Sequence, residues 1–212
     1  MEDLLFVFVG EGPTDSALVS HLEKLCVLCG AASVTGLAAD WRRLPYKPPR
    51  RVGLQIRAAL ELEPNANLIF VHRDADSRDP EPRHGEIGDA LRELGLGVPG
   101  VAVVPVQETE AWLLLDETEI RRVAENPNGK VALGLPTPER VEMIANPKDL
   151  LFELLLKASE LKGRRRERFK RTLAQKRRLL LERLSTEGEV THVTAWKRLE
   201  ADLRGAVESL AG

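Results

Sequence analysis

The chain has 212 residues, of which 43% are apolar and 30% charged, and its formal net charge is −2. That is enough apolar content to bury a sizeable core in one domain of ordinary size, or in one with a small appendage. Two cysteines do not make a secreted disulfide scaffold, and no signal peptide or bilayer-length apolar segment is apparent, so a cytoplasmic protein with no membrane partner is expected.

The first half alternates strand-like and helix-like segments. Residues 4–9 form a continuous apolar run, as in a parallel strand buried on both faces. Gly10-Glu11-Gly12-Pro13 breaks it. Thr14 or Asp15 then caps a helix to about Cys29, with Leu18, Leu22, Leu25 and Cys29 on one face and Gly30 as its stop. Residues 32–38 are a weaker strand, and 41–51 read as a loop carrying Pro45, Pro48 and Pro49. A helix over 52–62, a strand over 68–71, a polar loop over 73–83, a helix over 86–94 and a strand over 101–106 complete a βαβαβαβ pattern. From residue 108 onward only helices are predicted, over 109–124, 137–145, 147–159, 164–184 and 192–210. The expected division is an α/β catalytic domain over 1–125 and a helical extension over 126–212.

Acidic residues gather where predicted strands run out. Glu11 and Asp15 follow the first, Asp74 and Asp76 the third, and Glu108 and Glu110 the fourth. Ligands of parallel α/β sheets bind outside the carboxyl ends of strands. Carboxylates crowded there repel one another unless a hard cation neutralises them, and oxygen ligands suit Mg²⁺ or Mn²⁺. The spacing therefore predicts a divalent-metal site serving phosphate chemistry. The same residues also have plainer readings: Asp15 as a helix cap, and Glu108 and Glu110 as first-turn acids favoured by the helix dipole. In Asp74-Ala75-Asp76, an extended backbone would point both carboxylates the same way. His72 is within reach of this loop, although a lone histidine at a strand end is more often structural. The glycine turn is not a phosphate-cradling loop, because the Lys-Ser/Thr ending is absent. Cys26-Val27-Leu28-Cys29 falls at a helix end rather than a helix start, which reads as two buried structural cysteines.

The charge is segregated. Residues 157–183 hold 12 Lys and Arg against 3 Asp and Glu, a net of +9, which leaves 19 against 30 elsewhere, a net of −11. Arg164, Arg165, Arg166, Arg168, Lys170, Arg171, Lys176, Arg177 and Arg178 recur through a helical stretch. They read either as a solvated helix face or as a nucleic-acid-binding arm whose phosphate contacts are salt-sensitive. Phe169 is the only aromatic among them, so base stacking is not supported there. Lys148, after Asn146-Pro147, lies in a predicted first helical turn, where the dipole disfavours a cation. It is therefore assigned to the scissile phosphate.

The order Glu11, then Asp74 and Asp76, on alternating β and α segments resembles the Toprim domain of topoisomerases, primases and overcoming-lysogenization-defect (OLD) nucleases. The Glu11-x-x-x-Asp15 pairing is similar to the OLD branch. With Glu108-Thr109-Glu110-Ala111-Trp112-Leu113-Leu114 and Asn146-Pro147-Lys148, residues 1 to about 150 resemble small stand-alone bacterial Toprim proteins, the domain of unknown function 4276. The resemblance implies a four-stranded, mainly parallel sheet flanked by helices. It also implies Mg²⁺ held by Glu11 and the Asp74/Asp76 pair for phosphoryl transfer on nucleic acid, in phage defence or nucleic-acid processing. No ATPase P-loop is present, and Tyr46, the only tyrosine, sits in a Pro-rich loop, which argues against a topoisomerase. The expected protein is a Mg²⁺- or Mn²⁺-dependent nuclease with Glu11 as ligand or general base. The alternative is a non-catalytic adaptor that binds nucleic acid or a partner ATPase through its helical tail.

Overall fold

The first strand, β1 (Leu4–Val9), is almost wholly buried, as its unbroken apolar run requires. The structure, a computed structural model, describes residues 3–211. A short 3-10 turn (Asp15–Leu18) leads into α1 (Val19–Leu28), followed by β2 (Val34–Ala38) and α2 (Val52–Leu62). Then come β3 (Leu68–His72), α3 (Glu81–Leu94) and β4 (Gly100–Val103). The remaining helices are α4 (Glu110–Leu113), α5 (Glu117–Val123), α6 (Pro138–Val141), α7 (Pro147–Ala158), α8 (Gly163–Lys170), α9 (Leu173–Glu182) and α10 (Thr194–Ala211).

The four strands form one sheet in the order β2-β1-β3-β4, and every pairing is parallel. The α/β class and the four-stranded sheet expected from the alternating pattern are thus observed. Alternation along the central strands sorts the two faces. Val7, Val9, Ile69 and Val71 pack with Val52, Ile56 and Ala59 of α2 and Ile87 of α3. On the other face Phe6 meets Phe70 edge-on, with ring centroids 4.9 Å apart. Gly36 of β2 lets that face close: a Cβ there would lie 2.3 Å from the Phe6 ring and 2.7 Å from Val19 of α1.

Element bounds differ from the sequence expectation where local chemistry intervenes. Helix α3 starts earlier than predicted, because Pro80 and Pro82 suit a helix start rather than break it. Strand β4 stops at Val103, and Gln107 then turns at φ 63°. The expected helix over 109–124 is two, since the Asp116 side chain accepts the Glu119 N–H and starts α5 afresh. The basic stretch likewise divides into α8 and α9.

The chain forms two compact units whose boundaries differ from the expected break at residue 125. The first comprises 1–75, 79–104 and 197–212; the second comprises 76–78 and 105–196. Residues 197–212 join the first unit because α10 packs there. The Cys29 Sγ lies 4.0 Å from the Glu200 carbonyl, and Arg198 pairs with Glu81. The second unit is all-helical in its regular structure. Its core includes Trp112 and Trp196, crossed edge-on at 4.9 Å, with Ile120, Leu151, Leu155 and Leu180. Among the described residues no helix is long and apolar enough to cross a membrane.

Candidate functional site

The chain leaves β1 for β2 on one side of the sheet and returns with β3 on the other. The crossovers therefore diverge above the carboxyl ends of β1 and β3, where open parallel sheets bind ligands. Glu11 and Asp74 follow those two ends.

Gly10 makes the turn after β1 possible: a Cβ there would lie 2.9 Å from the Phe8 ring and 3.0 Å from the Asp15 Cβ. Asp15 closes that turn. Its Oδ2 accepts the backbone N–H of Glu11 at 3.0 Å and of Gly12 at 2.8 Å, so the buried carboxylate holds the loop that presents Glu11. This is a cap directed backward onto the turn rather than forward into the helix.

His72, the last residue of β3, is buried between two carboxylates. Its Nδ1 lies 3.5 Å from Asp15 Oδ2 and its Nε2 3.5 Å from Asp74 Oδ1. Burial alone would lower the imidazole pKa. The hydrogen bonds and charges of Asp15 and Asp74 outweigh it, and the pKa is pushed up to about 9. His72 is therefore an imidazolium at neutral pH, and it supports both acids.

Arg73 completes the surroundings of Glu11. Its guanidinium is buried, donates to the His72 carbonyl at 2.7 Å and to the Gln55 side-chain oxygen, and approaches Glu11 Oε1 to 3.8 Å. Burial lowers its pKa, with Glu11 and Glu86 opposing. The Glu11 carboxyl is raised by burial first and by the Asp74 charge second. Sequence reasoning misses Arg73, because no local motif announces it and Gln55 and Glu11 reach it from distant segments.

The second unit holds the other acidic candidates. Asp76 adopts φ 53°, so 74–76 is not the extended run that would aim both carboxylates alike. Its N–H donates to the Gln107 carbonyl at 2.9 Å, and the Gln107 N–H returns to the Ser77 carbonyl at 3.1 Å. Glu108 Oε2 accepts the backbone N–H of Lys148 at 3.3 Å, completing the start of α7, while the Lys148 side chain is exposed. Glu110 is buried, and its carboxylate meets Arg177 Nε at 2.6 Å.

The basic residues differ by helix. On α9, Arg177 serves Glu110, Lys176 pairs with Glu125 and Arg178 pairs with Glu182. On α8, Lys170 pairs with Glu167, and Arg164, Arg165 and Arg168 are exposed, as is Arg171 just beyond the helix. No ion pair involves Arg164, Arg165, Arg166, Arg168 or Arg171 among the described residues.

Among the described residues no group of three or more His, Cys, Asp and Glu side chains is gathered to hold a metal ion. Mg²⁺ asks for less, since one or two carboxylates commonly hold it while water and substrate phosphate fill the remaining positions. Glu11 and Asp74 fit that requirement. Both are oxygen donors, and they lie close enough for Asp74 to raise the Glu11 pKa, a repulsion that a divalent cation would relieve. No protein-family model, curated protein or solved structure matches the chain.

Proposed function

We propose that this protein is a divalent-metal-dependent nuclease hydrolysing phosphodiester bonds of DNA or RNA. The carrying observation is the placement of Glu11 and Asp74 just beyond the carboxyl ends of the two central strands, β1 and β3. These two residues would hold Mg²⁺ or Mn²⁺, which when bound neutralises phosphate charge and promotes ionisation of water. In a single-metal version Glu11 would instead serve as the general base that accepts a proton from the attacking water. His72 holds Asp74 and Asp15 in position, and Arg73 orients Glu11; both are positioning residues. The exposed Lys148 ammonium and the α8 arginines are the candidate cations for substrate phosphates.

The test is cleavage of a panel of single- and double-stranded DNA and RNA, with and without Mn²⁺. Asp74→Asn should abolish metal-dependent cleavage while the protein stays folded. Lys148→Ala should reduce turnover about a hundredfold if its ammonium meets the scissile phosphate. Full cleavage by Asp74→Asn would defeat the proposal. The α8 arginines without ion pairs favour a second reading, a nucleic-acid-binding adaptor. Such a protein would retain nucleic-acid binding and show no cleavage with any substrate or metal.

A further inference from the structure

Beside Glu11, the first unit contains a cavity of about 550 Å³ at the carboxyl ends of β1 and β2. Its size is within the roughly 300–1,000 Å³ of small-ligand pockets. Trp41, Lys47, Arg50 and Gln55 line it along with Glu11.

Each of these has a defined chemical offer. Trp41 is half-buried and opens a short 3-10 turn capped by Asp40, whose carboxylate accepts the Arg42 N–H at 3.1 Å. The turn thus fixes an aromatic side chain at the cavity wall. Arg42 is committed to Asp40, with Nε 2.8 Å from Oδ1. Lys47 and Arg50 have no ion pair among the described residues. They stand in Pro45-Tyr46-Lys47-Pro48-Pro49-Arg50, whose prolines restrict the backbone before any ligand arrives. Gln55 is buried, and its side-chain oxygen is held by Arg73, which leaves the amide nitrogen as donor. An aromatic ring, an amide donor and two cations in one cavity match a planar heterocycle joined to a phosphate. Stacking of bases on aromatic rings is tolerant of base identity.

We propose that this cavity binds one nucleoside monophosphate unit, with the base against Trp41 and the phosphate at Lys47 and Arg50. In the nuclease reading, on which its placement beside Glu11 rests, the cavity would hold a nucleotide next to the scissile bond. The occupant is either a nucleotide within a strand or a free mononucleotide.

The experiment is equilibrium dialysis of labelled ligand against the full chain in a chelator, so that neither metal binding nor hydrolysis contributes and the Trp41 variants are read in the same way as the parent. Adenosine 5′-monophosphate should bind saturably, and adenosine and ribose 5-phosphate at least tenfold more weakly. Trp41→Ala should weaken adenosine monophosphate about tenfold or more, with Trp41→Phe intermediate as a control for folding. Lys47→Ala and Arg50→Ala should abolish the advantage of adenosine monophosphate over adenosine. A short oligodeoxynucleotide that competes with adenosine monophosphate and binds more tightly identifies a strand as occupant; the reverse order identifies a free nucleotide. Asp74→Asn should keep this binding, so loss of the nuclease proposal and loss of the pocket are separately visible. No saturable binding of either probe, equal binding of ribose 5-phosphate, or full affinity in a folded Trp41→Ala protein would overturn the assignment.

Discussion

The buried carboxylate of Glu110, on α4, meets Arg177 Nε of α9 at 2.6 Å within the helical unit. Breaking such a pair leaves an uncompensated buried charge, at a cost of about 3–5 kcal/mol, whereas replacing both partners by apolar residues is often neutral. Glu110→Ala and Arg177→Ala should each lower the urea midpoint strongly, and Glu110→Met with Arg177→Met should recover most of the loss. A single variant as stable as the parent would show that the pair adds nothing.

His72 predicts a pH dependence of a definite sign. Its folded pKa of about 9 lies above the ordinary value of 6.5, so the native state retains a proton that the unfolded state releases between them. The stabilisation is fully present below about pH 6.5 and is lost as pH rises through about 9. It is on the order of 3 kcal/mol by 1.36 kcal/mol per pKa unit. Urea unfolding in a chelator should show stability falling from pH 6.5 to 8.5. A His72→Asn protein should be less stable at pH 6 and nearly flat across that window.

Metal should act through Glu11 and Asp74. An ion at a hundred times its Kd adds about 2.7 kcal/mol to the native state, so Mn²⁺ should raise the melting temperature. Asp74→Asn removes both a ligand and the repulsion that raises Glu11. It also removes one of the two charges that pair with the buried His72, so the variant should melt below the parent without metal and respond little to Mn²⁺. An equal Mn²⁺ response in both proteins would locate the ion elsewhere.

The arginines of α8 and the cations of α9 should separate in nucleic-acid binding. Replacing Arg164, Arg165 and Arg168 by Gln should flatten the salt dependence by about 2 to 3 in log–log slope, at roughly 0.9 for each phosphate no longer neutralised. Replacing Lys176 and Arg178, which already pair with Glu125 and Glu182, should leave the slope nearly unchanged. A filter-binding series from low to moderate salt checks both.

Burial should silence the cysteines. Both are buried and free, and desolvation, followed by the Cys29 charge and Glu23, pushes the Cys26 thiol up to about 12. Alkylation of Cys26 at neutral pH should therefore proceed only with unfolding, at a rate that rises with urea. Rapid labelling of Cys26 in the folded protein would contradict the packing of α1.

By itself the sequence determined the strands, most helices and the parallel α/β class. These depend on local apolar runs and 3.6-residue periodicity, which survive without knowledge of any distant partner. It also showed that Glu11 and Asp74 follow strands, since strand ends are local events. The tertiary structure alone decided what those acids face. His72 reads as an isolated histidine until β1 and β3 pair and set it between Asp15 and Asp74. Arg73 gains its role only when α2 supplies Gln55. Glu110 looks like a first-turn acid, and burial against Arg177 makes it half of an ion pair. Periodicity cannot tell the exposed arginines of α8 from the engaged cations of α9, because pairing depends on which acidic side chains the fold brings within reach.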